Sequence, residues 1–134
     1  SGGEFRCFWA GDSRAYRIRD RQIIQLTRDH SMVQDLVDAG MLRPEEVADH
    51  PNSNIITRAV GVAEELRVDT VSGEVRPGDH FILASDGLTR VVEDRELMER
   101  LAAEIPAVAA DSLIETVLSR GAPDNVTLVI ATSA

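Results

Sequence analysis

The chain has 134 residues, and its 14 basic residues, all arginine, face 23 acidic ones for a formal net charge of −9. That balance argues against nucleic acid as a partner, because neutralising phosphates needs a basic patch. Hydrophobic residues make up 43%, enough for one domain, or a piece of one, with a real core, and no run reaches the roughly 20 apolar residues of a membrane span.

Ser1-Gly2-Gly3-Glu4 has neither a basic segment nor an apolar signal core. The single cysteine, Cys7, makes no disulfide framework. A soluble cytoplasmic protein is the expectation. Phe5 to Ala10 reads as a buried strand, with Cys7 as a small buried hydrophobe. Arg14–Arg19 and Gln22–Thr27 carry alternating apolar residues around Asp20-Arg21, the pattern of a hairpin. Ser31 to Ala39 reads as a helix, with Ser31 as N-cap, Met32, Val33, Leu36 and Val37 as its apolar stripe, and Gly40 as its end. Arg43 to Val47 reads as a second short helix with Pro44 in first position. His50 to Asn54 is loop, and Ile55 to Val60 one helical turn. The mixed, turn-rich stretch from 28 to 62 predicts a flap over the sheet.

Further on, Leu66 to Val71 alternates as a strand. Pro77-Gly78 is a turn, and Asp79 to Ser85 a central strand. Asp94 to Glu104 is an amphipathic helix with Leu97, Met98 and Leu101 inward. Pro106 opens another, with Val108, Ala109, Leu113, Val117 and Leu118 apolar, ending at Gly121. Val126 to Thr132 is the last strand. Strands, a helical insert, strands, two helices and a strand predict an α+β fold with largely antiparallel pairing.

Three aspartates lie in turns beside strand-like runs. Asp12 sits in Gly11-Asp12-Ser13-Arg14, Asp86 follows His80 to Ser85, and Asp124 precedes Val126 to Ile130. Each is also an ordinary turn sequence by itself. Asp86 and Asp124 at strand ends, if they converge, make an oxygen-rich pocket for a hard cation such as Mg²⁺ or Mn²⁺. Such an ion generates a nucleophilic water at neutral pH. The chain has no phosphate-binding loop of the Walker type, no zinc-protease signature and no serine-hydrolase elbow. Ser13 and Ser85 have no evident histidine partner. His30 and His50 read as loop or capping residues, and His80 as a structural residue at a strand start.

Five motifs occur in order: Gly11-Asp12-Ser13-Arg14-Ala15-Tyr16, Leu26-Thr27-Arg28-Asp29-His30-Ser31, Ile56-Thr57-Arg58-Ala59-Val60-Gly61, Leu83-Ala84-Ser85-Asp86-Gly87-Leu88 and Ala122-Pro123-Asp124-Asn125-Val126-Thr127. Together, over essentially the whole chain, they resemble the C-terminal half of bacterial type 2C (PPM) protein serine/threonine phosphatases, which take part in signalling. The resemblance implies a β-sandwich of two antiparallel sheets flanked by helices, with two catalytic Mg²⁺ or Mn²⁺ ions. It implies Asp86 and Asp124 as catalytic metal ligands, and Asp12, with Asp86, as ligands of a third, weaker metal. Asn125 and Gly87 would shape the ligand loops, and residues 28–61 would be a flap tuning access of a phosphoprotein substrate. In that family a water activated by the metals attacks phosphorus without a phospho-enzyme.

The family's N-terminal half supplies an Asp-Gly-x-Gly-Gly-His segment, a phosphate-binding arginine and a histidine, and none of these is found here. Residues 1–134 are therefore expected to be a C-terminal portion of a catalytic domain, inactive alone. Completion would come from the absent N-terminal half or from a second copy of the chain. The competing expectation is a non-catalytic, phosphatase-like interaction or regulatory module.

Overall fold

The hairpin at Asp20-Arg21 forms as its sequence predicts. Both turn residues adopt positive φ, 51° and 61°, the backbone twist that matches two right-twisted strands. The structure, a computed structural model, describes residues 3–46, 68–121 and 126–132. The hairpin strands are β2 (Arg14–Arg19) and β3 (Gln22–Gln25). They join β5 (His80–Ala84) and β6 (Leu128–Thr132) in an antiparallel sheet of order β3-β2-β5-β6. β1 (Gly3–Trp9) and β4 (Asp69–Val75) form a second, two-stranded antiparallel sheet.

Period-two alternation divides the four-stranded sheet into two faces. Tyr16, Ile18, Ile82 and Ala84 are buried in the main core, with Leu128 and Ile130 packed against it. That core is closed by α3 (Asp94–Ala103) and α4 (Pro106–Ser119) through Leu97, Leu101, Ala109, Leu113 and Val117. The spacing 109, 113, 117 is one helix face. Val108 and Leu118, expected on the apolar face, are exposed because they fall beside this row. Burial pushes the Tyr16 hydroxyl up to about 12. The other face of the sheet looks toward β1 and β4, and the Phe5 and Phe81 rings, 5.1 Å between centroids, tie the two sheets together. The result is the expected α+β arrangement of two antiparallel sheets flanked by helices.

α1 (Met32–Asp38) starts as predicted, with the Ser31 hydroxyl accepting from the backbone N–H of Gln34 at 3.2 Å. Pro44–Glu46 is a single 3₁₀ turn, where the expected helix would have run to Val47, a residue outside the described ones. The helical turn expected at 55–60 also lies outside them.

Three expectations change. β1 is not a buried strand: Glu4, Arg6 and Phe8 point to solvent, Phe8 with 63% exposure, and Cys7 is half-buried. Among the described residues β1 pairs with β4 alone, so one edge stays open. β4 begins at Asp69 and runs on through Gly73 to Val75, beyond the predicted end at Val71. The cross-strand ring of Phe5 covers Gly73 and fills the place of its missing side chain. Finally, a short helix, α2 (Asp86–Thr89), follows β5 where Asp-Gly suggested only a turn. Among the described residues no helix is long and apolar enough to cross a membrane.

Candidate functional site

Strand register brings two of the three aspartates to one end of the sheet. Arg14 of β2 is paired with Ala84 of β5. Asp12 lies two residues before the first and Asp86 two residues after the second, so both leave the sheet at the same edge. Ala84 is also paired with Leu128 of β6, so the segment leading into β6 arrives at that edge too. Ser85 fastens it there. Its N–H donates to the Thr127 carbonyl at 3.0 Å, and its hydroxyl accepts from the Thr127 N–H at 2.9 Å. Asp124 and Asn125, three and two residues before Thr127, lie outside the described residues.

Asp12 is held by its neighbour. Gly11 has φ 105°, a conformation that favours glycine, and it makes two hydrogen bonds with His30. The Gly11 N–H donates to His30 Nδ1 at 3.1 Å, and the His30 N–H donates to the Gly11 carbonyl at 2.8 Å. With Nδ1 accepting, Nε2 carries the proton and donates to Asp69 Oδ2 at 2.7 Å. The buried ring stacks on Trp9, centroids 5.8 Å apart. Trp9 in turn donates to the Arg28 carbonyl at 2.9 Å. His30, expected to be a loop or capping residue, thus anchors the Asp12 turn. Below it, Arg14 grips Asp29 with two hydrogen bonds of 3.0 and 2.7 Å.

Arg90, the residue after α2, stands across the two carboxylates. Its Nη2 is 3.1 Å from Asp86 Oδ2 and 3.7 Å from Asp12 Oδ2. Asp12 is 84% buried as a side chain, with 16% exposed, whereas Asp86 and Arg90 are each 38% exposed. Burial raises the Asp12 carboxyl above the usual range, the Asp86 charge adds to the rise, and Arg90 opposes it. A mutually repelling, oxygen-only pair fits a hard divalent ion such as Mg²⁺ or Mn²⁺. Among the described residues no third acidic, histidine or cysteine side chain joins Asp12 and Asp86. A groove of about 490 Å³ between β1 and the four-stranded sheet reaches Ser13 and Ser85 beside them.

Sequence comparison decides the family. The profile of stage II sporulation protein E (SpoIIE) matches residues 3–133. The chain belongs to the SpoIIE family. One relative, from Streptococcus pyogenes and 36% identical over 121 residues, is named a putative 2C-type protein phosphatase. Serine/threonine protein phosphatase PstP of Mycobacterium tuberculosis is 45% identical over 123 residues, which are 90% of this chain and 23% of PstP. Protein phosphatase PhpP of Streptococcus pneumoniae is 38% identical over 121 residues, 90% of this chain and 49% of PhpP. The chain thus spans half or less of these relatives. A solved catalytic domain of PstP, in complex with two manganese ions, superposes with a TM-score of 0.84 at 38% identity, covering 97% of this chain and 54% of that one.

Arg90 is the site residue that sequence reading missed in this SpoIIE-family chain. Its four-residue spacing from Asp86 is a visible signal only once a helical turn is placed at 86–89. The link to Asp12 has no local signal at all.

Proposed function

We propose that this chain supplies part of the active site of a metal-dependent serine/threonine phosphoprotein phosphatase of the type 2C class. The observation that carries the reading is the convergence of Asp12 and Asp86 at one sheet edge, in a chain with relatives named serine/threonine phosphatases. Asp86 and Asp124 are the proposed catalytic metal ligands, and Asp12 with Asp86 the ligands of a further, weaker ion. The Ser85–Thr127 clasp, close in sequence to both Asp86 and Asp124, supports pairing them. The chemistry a bound Mg²⁺ or Mn²⁺ supplies is water activation at neutral pH. The chain's own part is to hold the carboxylates: His30 fixes the Asp12 turn, Ser85 fixes the start of α2, and Arg90 spans the pair.

Residues 28–61 are read as the flap beside this edge. Its described portion is tied down by the bidentate Arg14–Asp29 pair and by the Arg28–Asp38 ion pair. The chain is read as the C-terminal portion of the catalytic domain, completed by an N-terminal half or a second copy. Leu83 and Val129, each 49% exposed on the face toward the two-stranded sheet, support that reading, because such apolar area marks a contact surface. A cytoplasmic location is part of the proposal and rests on the single cysteine.

Phosphate release from a phosphoserine peptide with Mn²⁺ tests the function. The chain alone should be inactive, and activity should appear when the missing half is supplied from a PhpP-like relative. In that reconstituted enzyme Asp86→Asn should lower kcat by at least a hundredfold, and retention of full activity would remove Asp86 from the site.

A further inference from the structure

We infer that Arg90 is a tethered cation for the Asp12–Asp86 pair, which a divalent ion can engage fully only by displacing it. This rests on reading Asp12 and Asp86 as metal ligands. The geometry is specific. One guanidinium nitrogen, Nη2, lies 3.1 Å from Asp86 and 3.7 Å from Asp12, and α2 sets that reach by placing Arg90 one helical turn after Asp86. The nitrogen faces one Oδ2 oxygen of each carboxylate and so occupies the space between them. A guanidinium and a divalent ion repel at contact distance, so both cannot sit between the same two oxygens.

Arginine suits this role better than lysine or histidine. It keeps its charge at any working pH, is more weakly hydrated than an ammonium, and brings a single nitrogen to both carboxylates. In the ion's absence it offsets the repulsion between Asp12 and Asp86 and keeps the pair poised. In the ion's presence it must swing out, and at 38% exposure it has solvent to swing into. The free energy of detaching it is subtracted from ion binding. The site therefore fills only at high ion concentration, with Arg90 setting the threshold.

Mn²⁺ titration of the 134-residue chain, by calorimetry and by the electron paramagnetic resonance of free Mn²⁺, tests this. Arg90→Ala should bind Mn²⁺ at least tenfold more tightly than the unaltered chain. Arg90→Lys, keeping the charge on a shorter, more strongly hydrated side chain, should fall between them. Asp12→Asn combined with Arg90→Ala should lose the gain. Arg90→Gln keeps the length without the charge and gives the same readout if the alanine variant melts early. Equal affinity in the unaltered and Arg90→Ala chains, with binding still abolished by Asp86→Asn, would overturn the tethered cation and leave the metal site standing. No binding by any of them would overturn both. A gain that survives Asp12→Asn would place the ion elsewhere and also overturn the inference.

Discussion

Asp79 shows how one side chain makes the fold depend on acid. It sits in the turn before β5 and is 1% exposed. Arg19, at the end of β2, donates to both its oxygens at 2.8 and 2.6 Å, and the Arg76 N–H donates to Oδ2 at 2.9 Å. Hydrogen bonding from Arg19 is the larger cause, aided by the Arg76 backbone, and together they pull the carboxyl down from 3.8 to about 2. A folded-state value below the unfolded one means that the charged form favours folding. The contribution is complete above about pH 4 and is lost as pH falls through about 2. Urea midpoints should therefore drop between pH 5 and pH 2. Asp79→Asn should be less stable at pH 7 and show a flatter slope across that window. An unchanged slope would mean that other carboxylates carry the acid sensitivity.

At the scale of elements, Gly73 and Phe5 link the two sheets. A side chain at Gly73 would meet the Phe5 ring at 2.7 Å, and that ring is the one touching Phe81 across the layer gap. Gly73→Val should displace the ring and loosen the sheet-to-sheet contact, lowering stability by about 1–3 kcal/mol in urea unfolding. Phe5→Leu, which vacates the space, should relieve much of that cost when combined with it. This pairing explains why β4 was misjudged from sequence. Gly73 breaks the run of strand-forming residues, and only the partner strand shows why a glycine belongs there. The hairpin, α1, α3 and α4 were legible because their signals are local: a two-residue turn, a serine cap, a proline at the first helical position, apolar residues every third or fourth place. α2 was not, since Asp-Gly favours a turn in isolation and only the following Leu88, buried in the core, favours a helical one. The same limit applies to the site. Asp12 and Asp86 could be picked out as candidates, but their meeting depends on a β2–β5 register 70 residues apart in the chain, and Arg90 on both.

At the scale of the molecule, the two sheets have unequal support. The four-stranded sheet packs one face on α3 and α4, over a core in which Leu97, Leu113 and Val117 are fully buried. The two-stranded sheet has continuous pairing from Gly3–Val75 to Trp9–Asp69, yet its outer face is solvent and two strands alone hold little stability. Among the described residues both strands of the two-stranded sheet are edges, with outward N–H groups outside the pairing, so the comparison is made between amides that face a paired strand, where exchange reports opening. Amides of β1 and β4 should exchange at least about tenfold faster than those of β2 and β5 in native-state exchange read by mass spectrometry. Equal protection in the isolated chain would show that the sheets open as one unit. On the proposed reading, adding an N-terminal half should slow exchange selectively in β1 and at Leu83 and Val129, whose apolar side chains stand exposed on the face between the sheets. A partner that merely bound the helical face would leave β1 unchanged, so the exchange map separates completion of the sandwich from association elsewhere.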